Sequence, residues 1–217
     1  MRFKLQVISQ NFALIGIDAS GHDHKSALIY ARDKIDELNK GRTLSKFGIL
    51  TGNECRELLL NSSIVTIRSH GTLVVNNDGT TYSTCILLNT NPQVILSGLS
   101  FPNMPSDSTD LSSGPSYDNL NLAMFVGCYT GASTGSDGKG TRNLPTIAVE
   151  RGAKVAIGFK DKIICQEANK WTEAFYDYLL QGKNINECIA HANQSIPKDS
   201  SMLNITVAGN EYYHYVP

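Results

Sequence analysis

The residues Leu122-Ala123-Met124-Phe125-Val126-Gly127-Cys128-Tyr129-Thr130-Gly131 form an apolar run that stops at a cysteine followed by small and polar residues. A strand in the middle of a parallel sheet has both faces covered, so its sequence is continuously apolar rather than alternating. The apolar part of this stretch therefore predicts a central parallel strand. Ligands of open α/β sheets bind beyond the carboxyl ends of the strands, and Cys128 would lie there.

A second stretch has the same design and ends in a histidine: Ser63-Ile64-Val65-Thr66-Ile67-Arg68-Ser69-His70-Gly71. Neighbouring strands lie about 4.8 Å apart, so side chains that leave two adjacent strand ends can meet above the edge of the sheet. An imidazole beside a thiol lowers the pKa of the thiol or accepts its proton, which yields a nucleophilic thiolate. His70 and Cys128 are therefore candidate catalytic residues.

Two glycines adjoin these candidates. Gly71 and Gly127 carry no side chain, so backbone amides near them can approach a substrate and stabilise an oxyanion. The alternative interpretation makes Cys128 a small buried apolar residue and His70 a hydrogen-bonded strand-end histidine. Two reactive residues at two strand ends, each beside a glycine, favour the catalytic interpretation.

The composition is that of an ordinary globular chain. Its 217 residues are 41% hydrophobic and carry a formal net charge of −1, and we expect a single domain over 1–217. A net charge near zero without clustered Lys and Arg argues against nucleic acid as a partner. The apolar runs are too short to span a membrane and the amino end has no signal pattern, so a cytoplasmic location is expected.

The five cysteines, at positions 55, 85, 128, 165 and 188, form no disulfide or metal pattern. They are odd in number, widely spread and never spaced C-x-x-C, so we expect reduced thiols, with the four besides Cys128 packed in the interior. His22 and His24 form an H-x-H pair, but such a pair in a polar loop without a third ligand indicates surface histidines. No metal and no cofactor are predicted.

Strand and helix patterns alternate along the chain, which predicts an α/β fold with a mostly parallel sheet and helices on both faces. Thr51 and Glu54 fit a capping box, which marks a helix start. Apolar runs on either side of the turn at 76–79 predict a β-hairpin beside His70. Further strands are predicted over 3–7, 12–17, 47–50, 155–159 and 203–207, helices over 27–38, 144–152, 167–180 and 186–193, and a long surface loop over 101–119.

The segments Ser69-His70-Gly71, Val126 to Gly131, and Glu150-Arg151-Gly152-Ala153-Lys154-Val155 resemble the caspase-like cysteine peptidases of clan CD. The resemblance is greatest to the CHAT group, with clostripain and gingipain relatives nearby. It extends to the helices that include Phe175-Tyr176 and to the closing strand Ile205-Thr206-Val207-Ala208-Gly209-Asn210.

This resemblance implies a caspase-like three-layer sandwich with an added β-hairpin. It also implies a cysteine peptidase that hydrolyses a peptide bond of a protein or peptide substrate, with strict choice of the residue before the cut. His70 would be the general base and acid, Cys128 the nucleophile, and the amides of Gly71 and Cys128 the oxyanion donors. Whether a regulatory partner or a neighbouring domain acts on the enzyme is left open by the resemblance.

The chain departs from its relatives just before the cysteine. Val126-Gly127 stands where CHAT members often have Ser-Ala and clostripain relatives Asp-Ala, so an acidic pocket residue is missing at that position. Asp18 and Asp161, each near a predicted strand end, could supply a carboxylate that binds Arg or Lys of a substrate. The alternative is that both are ordinary solvated loop acids.

Two other functions compete with the peptidase. A catalytically inactive copy of the fold would serve as a protein interaction module, because a fold alone does not confer activity. Gly131-Ala132-Ser133-Thr134-Gly135 matches the G-x-S-x-G pattern of serine hydrolases, which needs a helix directly after the serine. The Ser-Asp-Gly-Lys-Gly that follows is not a helix start, so a serine hydrolase using Ser133 is the less favoured alternative.

Overall fold

A computed structural model describes residues 11–17, 22–75, 79–88, 94–100, 104–132 and 141–215. The strands are β1 Asn11–Gly16, β2 Arg42–Phe47, β3 Ile64–Arg68, β4 Gly71–Val75, β5 Thr81–Leu88, β6 Val94–Ser97, β7 Thr109–Asp110, β8 Leu122–Val126, β9 Thr141–Arg142, β10 Val155–Phe159 and β11 Ile205–Gly209. The helices are α1 Ser26–Glu37, α2 Gly52–Asn61, α3 Leu144–Glu150, α4 Cys165–Leu179 and α5 Ile185–Gln194.

The main sheet has the strand order β11-β10-β8-β3-β1-β2. Its neighbouring strands are parallel except for β11, which runs antiparallel to β10. β3 and β8 lie side by side at the centre and are buried at every residue, which explains their continuously apolar sequences. The predicted central strand before Cys128 and its parallel neighbour before His70 are thus both present.

Helices cover both faces of this sheet and form two separate cores. On one face, alternate residues of β1, β3 and β8 pack against α1, α4 and α5, with Trp171 and Phe175 at the centre. On the other face, the intervening strand residues pack against α2 and α3. Successive side chains of each strand point to opposite faces of the sheet, so each strand contributes to both cores. The predicted α/β architecture with helices on both faces is confirmed.

A smaller sheet lies beyond His70, with the strand order β4-β5-β6-β7 and with β9 paired to β5. β4 and β5 are antiparallel, as the hairpin prediction requires, while the turn at 76–78 lies outside the described residues. The predicted capping box is also present: the Thr51 side chain accepts from the Glu54 amide, and the Glu54 carboxylate accepts from the Thr51 amide.

Three predictions of local structure need correction or stay untested. The strand expected at 47–50 is instead β2, an edge strand whose residues alternate between exposed and half-buried and contain few apolar side chains. The segment expected to be a surface loop at 101–119 contains β7 and buries Leu111 and Tyr117. Arg56 holds it by donating to the Thr109 hydroxyl, a long-range contact that local sequence does not reveal. The strand expected at 3–7 lies outside the described residues.

Over the described part of the chain, no helix is both long enough and apolar enough to span a lipid bilayer.

Candidate active site

His70 and Cys128 lie at the same edge of the main sheet. β3 and β8 are paired in parallel with Arg68 opposite Val126, so each candidate residue lies two positions beyond this last pair. Both side chains line one pocket of about 150 Å³. The loop after β1 contributes His22 and His24 to its wall, and the segment after β10 contributes Ile163, Cys165 and Ala168.

The turn that carries Cys128 is fixed by Thr130, which is fully buried. The Thr130 hydroxyl lies 2.7 Å from the carbonyl oxygen of Phe125 and 3.0 Å from that of Gly127, and it accepts from the Phe159 amide at 3.1 Å. One hydroxyl therefore ties the end of β8 to the end of β10. The Cys128 Sγ in turn accepts from the Ile163 amide at 3.4 Å, which ties the sulfur to the segment after β10.

Gly71 and Gly127 allow the two strand ends to approach each other. A Cβ atom at residue 71 would collide with the Cys128 carbonyl oxygen, and one at residue 127 would lie 2.8 Å from the Ser69 carbonyl oxygen. No larger residue fits at either position without moving the backbone. These glycines therefore allow the two strand ends to pack closely, and the substrate approach that the sequence indicated for them stays a prediction.

The Gly71 amide points away from the small sheet. The Ile86 amide donates to the His70 carbonyl, and Gly71 is paired with Cys85 in the same antiparallel ladder. Hydrogen-bonded and non-bonded pairs alternate in such a ladder, so the N–H of Gly71 is not directed at β5. Its nitrogen lies 3.4 Å from the point that a Cβ of Gly127 would occupy, next to the Cys128 turn.

Two further histidines surround His70. The ring of His22 meets the His70 ring edge-on with centroids 5.1 Å apart, and the ring of His24 does so at 4.9 Å. His24 is only 6% exposed, so the prediction that it lies on the surface was wrong. The H-x-H signal after β1 was visible, but only the β1–β3 pairing shows that it faces His70. No three metal-ligating groups of the described chain are arranged to hold an ion.

Cys165 is a second thiol in the pocket. Its Sγ donates to the Asp23 carbonyl oxygen at 2.9 Å and lies 3.3 Å from Nη2 of Arg68. It is half-buried, so the expectation that all four other cysteines pack in the interior fails here. Cys85 and Cys188 are buried as expected, and burial raises the pKa of each thiol to about 12. Cys55 is also buried, which raises its thiol pKa further.

Asp161, a candidate substrate-binding residue, does not line the pocket. The Asp161 carboxylate accepts from the Asn204 side-chain amide at 2.7 Å. Its backbone carbonyl accepts from the Tyr129 amide and so helps to hold the Cys128 turn. Asp18 and Ser133 lie outside the described residues, and their proposed roles stay predictions.

Comparison with known proteins assigns the family. Residues 50–214 match the model of the CHAT domain family, which is three quarters of the chain. The chain belongs to the CHAT domain family. This confirms the resemblance to caspase-like cysteine peptidases of clan CD. No curated protein matches this CHAT domain.

A solved structure with a similar fold is the crystal structure of the Arg-specific cysteine proteinase gingipain R, with a TM-score of 0.61 and 11% sequence identity. The match covers 94% of the CHAT domain chain and 46% of the gingipain chain, so this chain spans less than half the length of that structure. At this identity the likeness shows the fold alone. The fold is the caspase-like one.

Proposed function

We propose that this CHAT domain is a cysteine peptidase with His70 as general base and acid and Cys128 as nucleophile. The observation that carries the proposal is the register of β3 and β8, because it brings both side chains past one sheet edge and into one pocket. Nothing else in the described pocket combines a thiol at a strand end with an imidazole at the end of the adjacent strand.

The chemistry follows from these two groups. His70 accepts the proton of the Cys128 thiol, and the thiolate attacks the carbonyl carbon of the scissile peptide bond. His70 then donates that proton to the leaving amine as the C–N bond breaks, which leaves a thioester. A water molecule, deprotonated by His70, hydrolyses the thioester and restores the thiol. Such proton transfers contribute roughly 10²- to 10⁴-fold to the rate.

The negative charge on the carbonyl oxygen needs donors, and two backbone amides suit that role. The Gly71 N–H is turned away from β5, and no backbone carbonyl of the described chain accepts from the Cys128 N–H. Each such donor lowers the barrier by about 3 to 4 kcal/mol, because the charge develops where the donor already points.

The test combines labelling with hydrolysis. Cys128 and Cys165 are the accessible thiols of the described chain, so iodoacetamide followed by peptide mapping distinguishes them. We expect iodoacetamide to label Cys128, because the thiolate is the form that reacts and His70 can accept the thiol proton. We also expect a peptide library to be cleaved by the wild type and not by Cys128→Ala, with His70→Gln slower by at least about 10²-fold.

Cys188→Ala is the matched control, because it removes a thiol that is buried on α5 and does not line the pocket. It should hydrolyse the library at the wild-type rate. A folded chain that cleaves nothing would instead support the interaction module. Hydrolysis that survives Cys128→Ala and is blocked by a fluorophosphonate would support a serine hydrolase using Ser133.

A further inference from the structure

Arg68 is the last residue of β3 and is 1% exposed, although it lines the same pocket as Cys128. Arginine keeps its charge in proteins, so its burial without a carboxylate partner is costly. Its side chain and that of His70 line the same pocket. The charge therefore lies on the catalytic side of the sheet.

The guanidinium is only partly satisfied. Nη2 donates to the carbonyl oxygens of Cys165 at 3.1 Å and Asp23 at 3.3 Å, and both of these acceptors are uncharged. Nε and Nη1 are buried and have no hydrogen-bond partner within the described chain. Two donor nitrogens of a permanent cation are thus left without a partner, on a residue that lines the same pocket as Cys128.

The acids nearest to Arg68 do not neutralise it by contact. The Asp23 carboxylate accepts instead from the amides of Lys25 and Ser26 at 3.1 and 2.9 Å. Glu173 acts on Arg68 only through space. Burial, and to a smaller extent the negative charge of Asp177, raises the pKa of the Glu173 carboxyl. Among the described residues, none forms an ion pair with Arg68 within 4.0 Å.

The pocket has the size and position for the side chain that precedes the cut. Its volume of about 150 Å³ equals roughly five water molecules, which suits a short side chain. Val126, Ile163 and Ala168 supply apolar walls, and these weaken the screening of the Arg68 charge. Because the Ile163 amide also contacts the Cys128 sulfur, the pocket begins where the scissile carbonyl would lie.

We propose that this pocket binds the carboxylate of an aspartate or glutamate side chain, so that the enzyme cleaves after an acidic residue. This inference rests on the proposed peptidase activity. Arg68 is the residue that determines the specificity, and its unpartnered donors are the ones that a substrate carboxylate would occupy. A lysine or arginine side chain in the same pocket would meet a like charge, so the cation argues against the basic specificity that Asp18 or Asp161 would provide.

The test compares isosteric peptides that differ only before the cut, Glu against Gln and Asp against Asn. We expect wild type to prefer the acid by about 100-fold in kcat/KM, since a buried charged hydrogen bond is lost with the amide. Comparison of the Asp peptide with the Glu peptide shows which side-chain length fits the pocket. Arg68→Met should bring the ratio of kcat/KM for the Glu and Gln peptides close to one. Arg68→Lys should give an intermediate ratio, because lysine keeps the positive charge but lacks the paired donors of the guanidinium.

Arg32→Met is the matched control, because Arg32 is exposed on α1, pairs with Asp33 and does not line the pocket. It should keep the wild-type ratio. The wild-type ratios test the inference even where Arg68→Met fails to fold. Equal cleavage of Glu and Gln peptides, or cleavage after Lys or Arg, overturns the acidic specificity and leaves the peptidase intact. A chain that cleaves no peptide refutes the proposed function, and the inference falls with it.

Discussion

Replacing Thr130 by valine tests whether one buried hydroxyl holds the nucleophile turn. Valine has the same shape, so the change removes three contacts without opening a cavity: those to the carbonyl oxygens of Phe125 and Gly127 and that from the Phe159 amide. The Phe159 N–H then stays buried without an acceptor. Leaving one buried donor unsatisfied costs about 1 to 3 kcal/mol, and losing the contact to the carbonyls adds about 1 kcal/mol.

The expected loss of unfolding free energy for Thr130→Val is therefore about 2 to 4 kcal/mol. Thr172→Val is the matched control, because Thr172 is equally buried but its hydroxyl donates only to the Ala168 carbonyl. That carbonyl lies one helical turn earlier and already accepts a helix amide, so we expect the control to lose less than about 1 kcal/mol.

Urea unfolding measures both losses. Trp171 is the only tryptophan of the chain, and it is fully buried between Phe159 and Phe175, so its fluorescence should report unfolding. With a slope of about 2 kcal/mol per molar urea, the midpoint for Thr130→Val should fall by about 1 to 2 M. Circular dichroism gives a second reading that does not depend on the tryptophan. Equal midpoints for Thr130→Val and Thr172→Val would refute the proposed anchoring.

Three further predictions concern other parts of the fold and site. Gly71→Ala should lower kcat about 100-fold or more, because the new Cβ would collide with the Cys128 carbonyl oxygen and displace the proposed oxyanion donor. At Gly48 a Cβ meets no atom within 4 Å, so Gly48→Ala should cost about 1 to 2 kcal/mol of stability and leave the activity unchanged. Burial alone would raise the pKa of Asp23, but hydrogen bonds from the start of α1 and the buried guanidinium lower it to about 2. The charge on Asp23 therefore stabilises the fold above about pH 4, and this stabilisation decreases as the pH falls towards 2, so Asp23→Asn should be less stable than wild type in neutral urea titrations and the difference should narrow as the pH approaches 2. Thr51→Ala removes a helix cap and should lower the unfolding free energy by about 1 kcal/mol; an unchanged midpoint would show that the capping box contributes nothing.

The fold could be predicted from sequence where the physical signal is local. Continuous apolar runs indicated β3 and β8, and the side-chain chemistry of Thr51 and Glu54 indicated the start of α2. β2 was misplaced because an edge strand with one exposed face needs few apolar residues. β7 was missed because two residues have no period, and a contact from a distant helix holds them.

The candidate site was predictable only in part, for the same reason. His70 and Cys128 each followed a recognisable strand, so their meeting required only that the two strands be neighbours. The rest of the pocket comes from loops that the sheet order brings together: His24 after β1 and Cys165 at the start of α4. The backbone carbonyls that receive Arg68 come from these same loops, and they have no signature in sequence.

The two-residue period of the strands places Arg68 beside the proposed active site. Arg68 and Val126 are the paired last residues of β3 and β8, and both line the pocket next to the core that α1 and α4 cover. A register shift of one residue in either strand would turn its last side chain to the opposite face, away from the pocket. The same alternation that packs the core therefore holds the buried cation in the pocket that Cys128 also lines.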